Sequence, residues 1–396
     1  MIQDPVALLS FLFAVVALTR YLESKHWLFE KATSAILCTL LGIILANLGV
    51  IPFSSPAYQV VFDFGIPYAI VLVILASDLK QLARAGRPVI VAFAIAAAGS
   101  VLGGFAAGVV FESWLGPETW KLSGAFAGAF VGGGMNFAAI GSELQIAPST
   151  FAAAAVADNL STVPYMLTQI ALVGLLAPLY RRRCLSRAMA GAGEPAETPA
   201  DDGPSELDDL SGRATGILRQ WTETSVNITD LAVIAALPLA VLWLARSLVA
   251  LVPAMPEVLW ITTLAFVIAQ IPVIRKLRGA MVGAYFTMHI FFLALGASSI
   301  VSEVFKIGAP IFLFMILIIA VHVLVAYGLG WLIRLDLPTI TVASAAAIGG
   351  AGSGLALAMI FKWPKVITSS IVVSILGYAL GNYLGLSCAY LVRALG

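Results

Sequence analysis

The chain has 396 residues, 61% of them hydrophobic and 11% charged, with a formal net charge of +1. At a mean hydropathy of +1.00 it carries more apolar surface than one water-soluble core can hide, which excludes a soluble globular enzyme. A balanced charge also gives no reason to expect a nucleic-acid partner.

A helix needs about 20 apolar residues to cross a hydrocarbon layer of about 30 Å, and about twelve such windows stand between charged or proline-bearing breaks. In the first half they run Pro5 to Tyr21, Thr33 to Val50, Val61 to Ser77, Pro88 to Phe111, Leu122 to Gly141 and Thr150 to Leu179. In the second half they run Ile228 to Val252, Val258 to Ile274, Met281 to Ser302, Gly308 to Ile333, Pro338 to Phe361 and Val366 to Val392. An all-α polytopic membrane protein with the lipid bilayer as its solvent is expected. The first window follows Met-Ile-Gln-Asp, without the basic start or small-residue cleavage site of a secretory signal, and reads as a retained helix. Cys38, Cys184 and Cys388 lie too far apart in sequence for a disulfide framework or a metal cluster.

Charge concentrates between the halves. From Arg181 the chain is basic (Arg181, Arg182, Arg183, Arg187), then acidic and rich in Pro and Gly from Glu194 to Asp209. Residues 180–226 are therefore expected to form a flexible polar linker on the cytoplasmic side, dividing a first transmembrane repeat (1–179) from a second (227–396). Lys80, Arg84 and Arg87, and Arg275, Lys276 and Arg278, ask for the same side. With every window counted as a crossing, Arg87 and Arg181 fall on opposite faces, so one window is miscounted, re-entrant or against the charge rule.

The halves share a pattern. Gly124 to Val131 leads into Gly132-Gly133-Gly134-Met135-Asn136-Phe137, and Ser344-Ala345-Ala346-Ala347-Ile348 leads into Gly349-Gly350-Ala351-Gly352-Ser353-Gly354. Fourteen residues separate Gly134 from Pro148 and Gly350 from Pro364. An offset of 216 pairs Gly133 with Gly349, Gly134 with Gly350, and Asp158 with Ser374. Consecutive glycines cost a helix about 1 kcal/mol each, and a helix broken at membrane depth frees backbone groups that lipid cannot satisfy. Paired breaks in two halves point to a midplane site where half-helix N-termini attract anions and freed carbonyls hold cations. The plainer reading is close packing, since Gly124, Gly128 and Gly132 are spaced four apart.

Asp158 lies within the Thr150 to Leu179 window, followed by Asn159, Ser161, Thr162 and Pro164. A carboxylate there costs about 2.5 to 3.5 kcal/mol on insertion scales, and it normally faces an interior partner or an ion pathway, where a proton competes with a metal cation. An interhelical hydrogen bond is the plainer alternative. Asn136, Ser142, Ser344 and Ser353 add neutral oxygens near the breaks, although a hydroxyl often bonds back to its own helix. His289 is a candidate proton carrier; it and His322 equally suit satisfied interior histidines. No Walker loop, His-Glu-x-x-His pair, Gly-x-Ser-x-Gly elbow or dinucleotide fingerprint is present, so an ion gradient, not ATP or a bound cofactor, is the expected energy source.

Gly132-Gly133-Gly134-Met135-Asn136-Phe137, Ala155-Val156-Ala157-Asp158-Asn159, Phe291-Phe292-Leu293-Ala294-Leu295-Gly296-Ala297 and Ser344-Ala345-Ala346-Ala347-Ile348-Gly349-Gly350 resemble the YjcL-like membrane proteins of bacteria and plant plastids, a family of unknown function. That resemblance implies the cation/proton antiporter and anion transporter superfamily and a fold like that of the bile acid:sodium symporters. It implies two inverted repeats, a panel and a core, and a pair of discontinuous helices crossing in the core. It also sets Ala157-Asp158-Asn159 where relatives keep an ion-binding acidic pair. Inverted repeats need an odd number of crossings between matched helices, whereas the windows give six.

The expected function is a secondary active transporter, not an enzyme, moving a small organic solute, an anion, with Na⁺ or H⁺ across the bacterial cytoplasmic membrane. Asp158, Asn159 and Asn136 would bind the ion, with no metal beyond Na⁺ and no cofactor. Gly133, Gly134, Asn136, Ser344, Gly349, Gly350 and Ser353 would bind the solute, and a homodimer is compatible with this reading. The rivals are a cation/proton antiporter without organic substrate, an intramembrane enzyme using Asp158 and His289 on a lipid-linked substrate, and a non-transporting membrane scaffold.

Overall fold

Segments of this length and apolarity satisfy their backbone only within themselves, and the computed structural model is accordingly helical, with no strand among the described residues. It describes the chain apart from Met1, Gln3, 26–33, 77–85, 191–225, Arg275, Lys276, 364–365 and Gly396. Most of the expected linker, together with Lys80, Arg84 and Pro364, lies outside the described residues.

The helices are α1 (Pro5–Lys25), α2 (Ser34–Asn47), α3 (Pro56–Ala76, with a π turn over Val61–Gly65), α4 (Arg87–Leu115), α5 (Thr119–Gly132), α6 (Gly134–Glu143) and α7 (Pro148–Ala190). After the linker come α8 (Ile228–Leu251), α9 (Glu257–Ile268), α10 (Ala280–Ala297), α11 (Val301–Leu332), α12 (Leu337–Ile360) and α13 (Ile367–Arg393). Local signals set several starts. Asn227 accepts the amide of Asp230 (2.7 Å) at α8, and Asp336 accepts that of Thr339 (3.0 Å) ahead of Pro338 at α12. Among the described residues nine helices are long and apolar enough to cross a membrane, and α2 and α9 add two shorter apolar helices.

Two of the expected windows do not cross. The Lys121 ammonium donates to the carbonyl of Gln145 (3.0 Å), and the amide of Ala147 donates to Glu118 (2.9 Å). A continuous helix at about 1.5 Å per residue would hold these pairs some 36 to 44 Å apart. Phe126 meets Phe137 with ring centroids 5.5 Å apart, so α5 and α6 lie antiparallel. α12 reverses in the same way. A Cβ on Gly354 would lie 2.9 Å from the carbonyl oxygen of Val342 and 3.1 Å from the Cβ of Ala346, positions a straight helix holds about 12 to 18 Å away. The expected pair of discontinuous crossing helices is thus a pair of re-entrant hairpins.

The reversals occur at single glycines. Gly133 has φ 86 and ψ 180, and Gly350 has φ 73 and ψ −177. The two reversal points lie 217 apart, one more than the offset read from the paired glycines.

Direction follows from contacts. Gly99 meets His322 and Gly103 meets Ile318, so α4 and α11 are antiparallel; Gly104 meets Cys388 and Gly108 meets Val392, so α4 and α13 are parallel. Gly65 meets Thr287 and Gly283 meets Leu72, so α3 and α10 are antiparallel. With one hairpin and five crossings in each half, every one of these directions is reproduced by simple alternation. The six-window conflict disappears.

The helices sort into two packed groups: α1, α2, α3, α8, α9 and α10 in one, and α4 to α7 with α11 to α13 in the other. The second group is cemented by small residues. Gly124, Gly128 and Gly132 of α5 pack against Gly385, Gly381 and Gly377 of α13, each pair leaving no room for a Cβ.

Candidate functional site

α7 runs past both hairpin tips. The Oδ2 of Asp158 stands 3.7 Å from where a Cβ on Gly134 would be, and the Cγ2 of Thr162 stands 3.0 Å from the same point on Gly349. Asp158 and Thr162 are one turn apart, which separates the tips by about 6 Å along α7. At Gly133, Gly350 and Gly352 a Cβ would meet nothing within 4 Å, so bare backbone at both tips faces open space.

Each tip presents the N-terminus of a half-helix. In α6 the amides of Asn136 (3.0 Å) and Phe137 (3.3 Å) donate to the carbonyl of Gly133, and those of Gly134 and Met135 precede the first such bond. Such amides, with the positive end of the helix dipole, attract negative charge. Asp158 places a carboxyl group there. It is only 8% exposed, and no hydrogen bond or ion pair reaches its carboxylate among the described residues.

The other expected residues are placed less uniformly. The amide of Asn159 donates to Ala155 on its own helix (2.8 Å) and does not join Asp158. Asn136 lies at the first tip, where its amide meets that of Asn382 (3.0 Å), which in turn donates to Thr262 of α9 (2.9 Å). Beside them a small cavity, with room for about one water, is lined by Ile70, Val73 and Ile74 of α3, Met135 and Asn136 of α6, and Tyr378 and Asn382 of α13. It sits where the two helix groups meet. The hydroxyl of Ser353 donates to the carbonyl of Gly349 (2.8 Å), closing the second tip on itself. His289 bonds to the carbonyl of Tyr285 on its own helix, and no hydrogen bond joins it to Asp158.

Ser344 lies before the second tip, inside a network that sequence reading missed. Its hydroxyl meets the OH of Tyr165 (2.6 Å), the Nε2 of His322 (2.8 Å) and the amide of Gln169 (3.1 Å). The Nδ1 of His322 meets Ser100 (2.9 Å), and the hydroxyl of Ser100 donates to the carbonyl of Phe130 (2.6 Å). That carbonyl is one that the reversal at Gly133 deprives of its helical partner. Because the hydrogen of Ser100 goes to a carbonyl, Nδ1 carries the proton of the neutral ring, Ser344 donates to Nε2, and Tyr165 and Gln169 donate to Ser344. Tyr327 closes the network on Gln169 and Thr341 (3.2 Å each). The signal available in sequence was one or two polar residues in each of four apolar helices, too dispersed to connect.

The architecture defines an integral, multi-pass, all-α membrane protein with two re-entrant hairpins, the first of whose tips lies beside a buried carboxylate. The chain belongs to the family described as "Protein of unknown function (DUF819)", whose model matches residues 10–395. It is similar to the "Uncharacterized membrane protein YjcL" of Bacillus subtilis (strain 168), at 24% identity over 396 residues, covering 97% of this chain and 96% of that one.

Proposed function

We propose that the chain is a secondary active transporter of a small organic solute bearing an anionic group, coupled to Na⁺ or H⁺. The observation that carries the reading is the pair of glycine tips opening bare backbone onto open space beside the buried Asp158. Fixed half-helix ends bind an anionic group, and Asp158 takes the coupling cation. The two helix groups then act as panel and core, with transport as movement of the core, tips included, along the panel. The resemblance to the antiporter and bile acid symporter superfamily supports the same reading, as do the reversed directions of α3, α4 and their partners, which fit an inverted duplication.

The distribution of basic residues supports one orientation in the membrane. With five crossings per half, Arg20, Arg87, Arg278, Arg334 and Lys362 share the face on which α7 ends, whereas Lys121, Arg246, Lys306 and Arg393 lie on the other. By the positive-inside rule the first face is cytoplasmic, in keeping with a bacterial cytoplasmic membrane. Hairpin α5–α6 enters from outside and hairpin α12 from inside.

Proteoliposomes assayed for uptake of organic anions under imposed Na⁺ or H⁺ gradients test the reading. Gradient-driven accumulation of a solute, lost in Asp158→Asn, is expected; uptake unchanged in that variant refutes the role of Asp158. A cation/proton antiporter is the second reading, favoured by the same carboxylate, and predicts ion exchange with no solute present. An enzyme working through Asp158 and His289 is disfavoured, because His289 is turned to its own helix.

A further inference from the structure

At a re-entrant tip the two kinds of freed backbone point in opposite senses. The last carbonyls of the incoming arm are ligands for a metal cation, and the first amides of the outgoing arm are donors that repel one. Which of them faces Asp158 therefore bears on which ion Asp158 can hold.

Several of these carbonyls are engaged away from Asp158. In the first hairpin the Phe130 carbonyl is taken by Ser100 of α4 (2.6 Å), and that of Val131 lies against Gly377 of α13. The Gly133 carbonyl is used within α6. In the second hairpin Ser353 takes the Gly349 carbonyl (2.8 Å), and just past the reversal Ser370 takes that of Ala351 (2.6 Å). What stands beside Asp158 on α7 is Gly134, at the amide end of α6. Side-chain oxygens are committed too: Ser161 donates to the backbone carbonyl of Asp158 (2.6 Å), Asn159 bonds to Ala155, and Asn136 meets Asn382. A hard cation needs several oxygens converging at one point. One carboxylate against a helix N-terminus offers two.

Titratable groups on the helices packed against α7 are engaged elsewhere. Cys38 of α2 meets Thr19, Lys121 of α5 meets Glu118, and Glu143 of α6 meets Val258. On α10 His289 meets the carbonyl of Tyr285; on α11 His322 lies between Ser100 and Ser344, and Tyr327 meets Gln169 and Thr341. None of them reaches Asp158.

We propose that the ion carried at Asp158 is a proton and not a metal cation. The proposal rests on the transporter reading above and narrows it. The proton arrives from water on one face, forms a bond to a carboxylate oxygen of Asp158, and leaves to water on the other face after the core has moved. The bound form is a neutral acid, which needs no cage of oxygens.

Infrared difference spectra of the purified full-length protein, titrated across about pH 4 to 9, test this without knowledge of the solute. A carboxylic-acid C=O band that appears on acidification, is lost in Asp158→Asn, and is the same in NaCl as in choline chloride of equal concentration is the expected result. Absence of any such band from the wild type overturns the proposal. So does a band, or a thermal midpoint, that shifts with NaCl and not with choline chloride. The sodium comparison uses wild-type protein and holds even where Asp158→Asn fails to fold. A sodium-sensitive result leaves the transporter reading standing; a titrating band in a protein that accumulates no solute under any gradient removes the transporter and keeps the protonation.

Discussion

Gly132 and Gly133 are neighbours with different reasons to be glycine. A Cβ on Gly132 would enter the Gly377 carbonyl across α13, whereas Gly133 has open space and a φ of 86. Gly132→Ala is expected to cost about 3 kcal/mol or more, because backbone on both sides must part. Gly133→Ala is expected to cost about 1 to 3 kcal/mol of backbone strain, because φ 86 with ψ 180 is a conformation essentially reserved for glycine, and to act on binding more than on folding. Thermal midpoints of the two variants check the order, and equal losses would mean that the tip is packed. Ser344→Ala should cost about 1 to 3 kcal/mol by leaving Tyr165, His322 and Gln169, all buried, short of a partner. Asp158 and the glycine runs were legible in sequence because each is expensive in a membrane. The Ser344 network was not, because hydroxyls and histidines are individually cheap and only their convergence gives them meaning.

Helix breaks were legible at the level of the element, but not what the chain does after them. A glycine in the left-handed region permits a kink or a reversal, and composition does not choose between them. Two conflicts in the sequence pointed to the answer: Arg87 and Arg181 on opposite faces, and an even number of windows between matched segments. One re-entrant window in each half removes both. The base of the first hairpin carries a separate prediction. Burial pushes the Glu143 carboxyl above the usual carboxylate range, helped by nearby Glu257 and opposed by the Val258 amide that it accepts at 3.2 Å. A group that holds its proton more tightly folded than unfolded adds stability as pH falls through the folded pKa, and the gain is complete below the unfolded value of about 4.3. Glu143→Gln, which mimics the protonated form, should raise the thermal midpoint at neutral pH and flatten its rise toward acid. A variant whose pH profile overlays the wild type would contradict that assignment.

Across the whole molecule, a cluster of hydrogen bonds on α9 joins the two helix groups. Val258 donates to Glu143, Thr262 accepts from Asn382, and Thr263 meets Tyr383. If the core moves along the panel, these bonds break in every cycle. A disulfide between Thr262→Cys and Asn382→Cys is expected to abolish uptake and to release it on reduction; uptake undiminished with the disulfide formed would show that the groups do not move apart. The grouping itself was implied only by resemblance, since no single window in the sequence says which others it packs against. All of this depends on the chain reversing at Gly133. The direct measurement is the electron–electron spin distance between labels at Lys121 and Gln145. Reversal at Gly133 predicts a short distance, set mainly by the labels themselves because the Lys121 side chain reaches the backbone carbonyl of Gln145. A helix continuing across the membrane would place them about 36 Å apart, and that result would contradict the hairpin and the site built on it.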